Sequence, residues 1–182
     1  TPAELPPWLA SFGPARPAVY VTFGTEAAAA SAPWPALLEA IGDRDIDALV
    51  TTGDKIDIAT LGRLPGNVRV EQFVPQSPVL ERVAAVISHG GAGTMLGAAS
   101  AGVPQVVVPL FADQWDNADA IAGAGAAIVC EPDERTAGPL GSALDRVLSD
   151  DAFRTASASL AHEMSVMPTA ADHVPTLEAL AG

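Results

Sequence analysis

Residues 84–94 read Ala-Ala-Val-Ile-Ser-His-Gly-Gly-Ala-Gly-Thr, and the division of that stretch decides the fold. Ala84 to Ser88 is a short apolar run that reads as a buried strand. It stops at His89. A glycine-rich turn follows, and the pattern becomes helical near Ala92. A strand that turns through glycines into a helix leaves free backbone N–H groups and the positive end of the helix dipole at its carboxyl end, a ready place for phosphate. Glycines there let the backbone approach a ligand closely.

Working outward, the same strand–turn–helix unit recurs. AVYVTF (18–23) is a strand that stops at Gly24-Thr25. Residues 33–42 suit a helix with Pro33 in its first turn. IDALVTT (46–52) is stopped by Gly53, and VRVEQF (68–73) is ended by Pro75. A short helix is expected over 77–83 and another over about 92–101, ending at Gly102. QVVVP (105–109) and AAIVC (126–130) are the last strands, separated by a helix over about 115–124. Helices are expected over 136–149, 151–165 and about 170–180. The strands are near-continuous apolar runs, which marks a parallel sheet covered on both faces. The expected class is α/β: a Rossmann-like parallel sheet of about six strands over residues 18–182. Residues 1–17, with Pro2, Pro6, Pro7, Pro14 and Pro17, read as a lead-in.

Composition narrows the function. At 182 residues and 49% hydrophobic, the chain can bury one domain core. No apolar run approaches 18 residues, so no membrane span is expected. Cys130 stands alone, which excludes an internal disulfide and points to a reducing cytosol. Thr1 is not an initiator Met, so a fragment or a processed form is expected. The formal net charge is −13 and the nine Lys and Arg residues form no cluster, which disfavours nucleic acid and anionic membranes as partners. Bulk charge also repels a diphosphate. Such a ligand must be held by local donors: backbone N–H groups, hydroxyls, a helix N-terminus and His89.

In parallel sheets of this kind, ligands bind beyond the carboxyl ends of the strands. Thr25 lies after the first strand, Phe73 to Gln76 after the third, His89 to Thr94 after the fourth, and Asp113-Gln114 after the fifth. Four motifs converge on one edge.

Phe73-Val74-Pro75-Gln76, His89-Gly-Gly-Ala-Gly-Thr94, Gly102-Val103-Pro104 and Asp113-Gln114-x-x-Asn117 resemble the donor box of the family 1 glycosyltransferases. The likeness is nearest to the bacterial enzymes that attach deoxysugars to macrolides, enediynes and aromatic polyketides. It runs from about Pro6 to the C-terminus and covers the C-terminal, donor-binding half of a GT-B fold. The resemblance implies that Phe73 stacks on the pyrimidine, that the Val74 backbone pairs with the base edge, and that Gln76 lies near the ribose. It places His89, Gly91, Gly93 and Thr94 around the diphosphate with Thr25 close by, and turns Asp113 and Gln114 to the sugar hydroxyls. Gly97 departs from the plant pattern, where a Glu grips both ribose hydroxyls. This favours thymidine over uridine diphosphate sugars. The implied reaction is displacement at the anomeric carbon with inversion by a hydroxyl of a small-molecule acceptor. The general base is implied in an N-terminal acceptor domain absent from this chain, so no catalytic residue is assigned here.

Plainer readings stand beside these. His89 can be a structural histidine at a strand end, Phe73 a core residue, Thr25 a turn residue, and Asp113 a helix N-cap. Gly91 to Gly97 also spells GxGxxxG, but a dinucleotide fingerprint belongs to the first strand–helix turn of its fold, so no cofactor is expected. Asp43-Arg-Asp45 and Asp45-Ile-Asp47 imitate a DxD metal motif; they precede the second strand, at the amino edge, and read as a solvated turn, so no metal is expected. Cys130 reads as a small hydrophobe. His162 and His173 lack partners at ligand spacing. Trp8, Trp34 and Trp115 read as packing residues, with Trp115 beside the sugar motif. Two rival functions remain: a stand-alone donor subunit of a split glycosyltransferase, and a non-catalytic nucleotide-binding module.

Overall fold

The computed structural model describes residues 6–13, 15–24 and 30–181. Its strands are β1 (Ala18–Thr22), β2 (Asp47–Thr51), β3 (Val68–Glu71), β4 (Ala85–Ser88), β5 (Gln105–Val107) and β6 (Ala127–Val129). They form one sheet in the order β3-β2-β1-β4-β5-β6, and every pairing is parallel. The order reverses between β1 and β4. The chain winds outward one way from β1 and the other way from β4, which opens a crevice at their carboxyl ends.

Helices α1 (Trp34–Gly42) and α5 (Ala137–Ser149) cover one face. Helices α2 (Gln76–Leu80), α3 (Ala92–Ser100), α4 (Gln114–Gly123) and α6 (Asp151–Ser165) cover the other. The strands divide their side chains between the faces: Val19 and Val21 of β1 pack with Leu37, Ile41 and Leu144, whereas Tyr20 packs with Val79 and Leu80. A last helix, α7 (Ala170–Ala181), carries exposed Val174, Leu177 and Leu180. No helix among the described residues is long and apolar enough to cross a membrane.

The strands are shorter at their carboxyl ends than the apolar runs suggest. β3 stops at Glu71, β5 at Val107 and β6 at Val129. Beyond these points pairing continues only singly, as in Val108 N–H to the Ser88 carbonyl at 2.8 Å and Cys130 N–H to that of Val107 at 2.8 Å. Pro109 then removes a donor, and the chain leaves the sheet to build loops. The lead-in also differs from a free segment. Pro7–Ser11 form a 3-10 turn, Leu9 is buried among Tyr20 and Val83, and the Arg69 guanidinium lies 4.1 Å from the Trp8 ring centre.

Candidate functional site

The crevice is built around the start of α3. Gly91 is the N-cap residue and its helix has no side-chain cap. The first N–H groups of α3 therefore have no partner within the helix. The turn that aims them is tightly specified. Gly90 has φ +79°, and a Cβ there would sit 2.9 Å from Val107 Cγ1 and 3.0 Å from the Gln114 carbonyl oxygen; both the handedness and the space demand glycine. The Gly90 N–H donates to Ser88 Oγ at 3.2 Å. Gly93 faces open space: a Cβ at this position would meet nothing within 4 Å.

His89 stands beside this turn. A Cβ on Gly91 would collide with its Nε2, so the ring rests directly on the Gly91 backbone. Its other neighbours are Gly24 and the Phe23 ring, the latter at 6.3 Å between centroids. His89 Nδ1 is buried and has no hydrogen-bond partner among the described residues. Burial holds the imidazole below its ordinary pKa, with the Thr22 backbone and the Asp113 carboxylate pulling the other way.

On the β1–β3 side, a pocket of about 170 Å³ is lined by Tyr20, Thr22, Thr51, Phe73, Val74, Gln76 and Thr94. Phe73 is 74% exposed, so it is not core; Val74 beside it is buried. The pocket floor carries the buried Tyr20 Oη–Thr51 Oγ1 pair at 2.9 Å. Gln76 Nε2 donates to Thr94 Oγ1 at 3.1 Å, and Gln76 Oε1 lies 3.3 Å from where a Gly97 Cβ would be. The missing side chain at position 97 is what lets Gln76 lie across α3.

On the β5 side, the loop from Pro109 to Asp113 bends through Ala112, whose φ of +56° is the one positive value at a non-glycine among the described residues. Asp113 occupies the N-cap position of α4 but makes no side-chain cap; its carboxylate is exposed and accepts from Asn117 Nδ2 at 3.0 Å. Gln114 is buried, and its Oε1 accepts from the N–H groups of Leu110 at 2.8 Å and Phe111 at 3.1 Å. That oxygen holds the loop together rather than facing the crevice. Asn117 Nδ2 also reaches the Gly90 carbonyl at 3.0 Å, tying the α3 turn to the α4 loop.

The structure thus brings His89, Gly91, Gly93, Thr94, Phe73, Val74, Gln76 and Asp113 to one edge. Thr25 lies outside the described residues. Sequence reasoning assigned no role to Asn117, although its i, i+4 spacing from Asp113 was a usable signal. Tyr20–Thr51 and the shape of Ala112 had no local signal. Cys130 is buried, and burial first, with Glu134 and Glu131 opposed by Arg135, pushes its thiol up to about 11. Trp34 packs on Phe23 at 5.1 Å. The Asp43–Asp47 stretch is engaged in ion pairs, Arg16 with Asp45 and Asp47 and Arg44 with Asp145. No group of His, Cys, Asp and Glu among the described residues is arranged to hold a metal.

The chain is similar to proteins of known activity. The family model for the erythromycin biosynthesis protein CIII-like, C-terminal domain, matches residues 35–180. The tylactone mycaminosyltransferase of Streptomyces fradiae is 37% identical over 180 residues, which is 97% of this chain and 39% of that protein. The glycosyltransferase SnogD from Streptomyces nogalater superposes with a TM-score of 0.82 at 38% identity, covering 99% of this chain and 48% of the other. The spinosyn rhamnosyltransferase SpnG complexed with thymidine diphosphate gives 0.86 at 30% identity over 97% of this chain and 48% of its own, and SpnG has also been solved with the spinosyn aglycone. The chain spans less than half the length of each of these proteins. Its sheet is that of the C-terminal domain of a GT-B glycosyltransferase, and the chain belongs to the CIII-like C-terminal domain family of the antibiotic glycosyltransferases.

Proposed function

We propose that this domain binds the nucleoside diphosphate sugar donor of a glycosyltransferase. The observation that carries the reading is the uncapped start of α3 at the reversal of the strand order, with the His89 ring and the Thr94 hydroxyl beside it. An oriented N–H set at a helix N-terminus suits phosphate oxygens, and it does so without the cationic patch that this acidic chain lacks. As the bond to the anomeric carbon breaks, charge grows on the diphosphate, and donors already aimed there stabilise it.

The base and ribose fit the other wall. Phe73 offers an exposed ring for stacking, and the buried Val74 presents its backbone beside the pocket. The pocket is smaller than the roughly 300–1,000 Å³ of a closed small-molecule site, so the nucleotide lies partly across open surface under Phe73. Thymidine diphosphate is favoured over uridine diphosphate: Gly97 supplies no carboxylate for a 2′-hydroxyl, and the space beside it is taken by Gln76 and Leu80. SpnG, solved with thymidine diphosphate, supports the same choice. Asp113 then faces the sugar, since β5 lies next to β4 and its loop opens beyond the phosphates. Transfer goes to a hydroxyl of a small-molecule acceptor, with inversion. The acceptor site and the base that takes its proton belong to an N-terminal domain outside this chain.

Calorimetry of this chain with thymidine and uridine diphosphates tests the reading. Thymidine diphosphate should bind, and more tightly than uridine diphosphate. No binding of either to the folded chain would sink it.

A further inference from the structure

We propose that Arg135 is a positioning residue for the sugar-facing loop Pro109–Asp113, clamping both ends of that loop from beyond the carboxyl end of β6. The proposal rests on the nucleotide-sugar reading of the site. Arg135 follows a 3-10 turn, Pro132–Glu134, at the carboxyl end of β6. Its guanidinium reaches the chain just past the carboxyl end of β5, the neighbouring strand, where Nη2 donates to the Pro109 carbonyl. It also lies over the Trp115 ring, 5.7 Å from the centroid. Pro109 is where the chain leaves β5, and Trp115 is in the first turn of α4. One planar group therefore bridges the entry and the exit of the loop, a task that suits a guanidinium and not an ammonium.

Two observations say that this placement is held against resistance. A cation near the start of α4 meets the positive end of the helix dipole. Arg135 Nε is buried with no partner among the described residues. The loop it clamps contains the left-handed Ala112, and such a backbone persists only where its surroundings hold it there. Arg135 joins two other holds, Gln114 on the Leu110 and Phe111 amides and Asn117 between Asp113 and Gly90. Together they aim Asp113.

Amide hydrogen exchange on this chain without ligand reads the loop directly. In Arg135→Met, the Leu110 and Phe111 amides should exchange about tenfold faster, the loss expected for one charge-assisted hydrogen bond, while Ile87 and Val106 stay as they were. Arg135→Lys, which keeps a donor but not a flat face, should fall between. Unchanged loop amides, or equal acceleration throughout β4 and β5, overturn the clamp. The second measurement is calorimetry with thymidine diphosphate and thymidine diphosphate glucose. Arg135→Met should bind the first within about twofold of the parent and the second about tenfold more weakly, with Arg135→Lys restoring part of the difference. A ratio that does not move overturns the proposal alone. A parent chain that binds neither ligand overturns the nucleotide-sugar reading and this proposal with it.

Discussion

The two edges of the sheet use their polar groups in opposite ways. At the amino edge the charged groups and the Asn67 amide are satisfied by neighbours, and the buried Gln105 Oε1 at the start of β5 is the exception among the described residues. Arg44 grips Asp145 through two bonds of 2.7 Å, Arg16 pairs with Asp47, and the Asn67 amide lies 3.1–3.2 Å from the carbonyls of Ile41, Arg44 and Ile46. At the carboxyl edge Gln114, Asn117 and the Tyr20–Thr51 pair are satisfied, but several groups are left over. The α3 start is uncapped, His89 Nδ1 has no partner among the described residues, and the Asp113 carboxylate is exposed. The larger clefts, of about 410 and 480 Å³, lie beside α1, and only the second has the paired Arg44 and Asp145 in its wall. Volume alone would choose a different place from the proposed donor site. Unspent hydrogen-bonding capacity, held in place by a rigid sheet, is the better guide to a site.

The sharpest break between a structural position and a proposed ligand-facing one lies within one turn. Gly90→Ala should cost about 3 kcal/mol or more, summing a left-handed penalty with overpacking against Val107 and Gln114. Gly93→Ala, which meets open space, should leave stability within about 0.5 kcal/mol yet weaken diphosphate binding. Urea unfolding and calorimetry on the two variants check this. If Gly93→Ala binds like the parent, the open space above it is not where phosphate sits.

Next in size are His89→Ala and Thr94→Ala. Each should weaken thymidine diphosphate by about 1.5–3 kcal/mol, the worth of a hydrogen bond to a charged group, and leave thymidine itself little changed. The matching change at the other edge, Arg44→Met, should leave binding untouched and cost about 1–2 kcal/mol of stability: Asp145 is exposed, which keeps the ion pair weak, but the Arg44 side chain is mostly covered and also donates to the Ala40 carbonyl. Loss of binding in Arg44→Met would erase the contrast between the edges.

Asp113→Ala tests the sugar side. In a full-length enzyme that includes this domain, transfer should fall by up to about a hundredfold, as expected if a carboxylate–hydroxyl bond of about 1–3 kcal/mol tightens in the transition state. Affinity for free thymidine diphosphate should stay within about twofold. Equal loss of both would make Asp113 a prop for the loop. The structure already bears on this: Asp113 makes no side-chain cap on α4, whereas Gln114 does hold the loop through its Oε1.

Much of this edge was legible in the sequence, for a physical reason. A strand buried on both faces must be apolar throughout, so β1, β2 and β4 stand out as runs, and glycines mark the turns where backbone has to approach a ligand. Gly91 is recognisable because its constraint, the His89 ring two positions back, is local, and Gly90 because its left-handed turn is local, although the Val107 and Gln114 contacts that also demand glycine there are not. Arg135 is not, because its partners Pro109 and Trp115 are 26 and 20 positions away and no spacing rule connects them. Gln114 was legible as a residue of the loop after β5, but the direction of its amide was not: whether a buried amide faces a ligand or its own loop depends on the bend at Ala112. Phe73 was open between core and surface, since an aromatic after a strand suits both; its exposure is set by how β3 leaves the sheet at Glu71.

The smallest expected effect concerns pH and separates His89 from ordinary core. Burial depresses its pKa below the ordinary 6.5. As pH falls, the unfolded chain therefore takes up this proton before the folded chain does, and folding stability is lost from about pH 6.5 downward until the folded pKa is passed. Phosphate oxygens beside the ring act in the other direction: they favour the imidazolium, so diphosphate binding should take up a proton and strengthen as pH falls from about 8 to about 6. Two opposite slopes are then expected from one group, with acid weakening the free fold and tightening the complex. Thermal unfolding and calorimetry across that range, on the parent and His89→Gln, measure both. In His89→Gln both slopes should flatten. If the stability slope flattens and the binding slope does not, His89 is a buried histidine that the ligand never meets, and the diphosphate rests on Thr94 and the α3 amides alone.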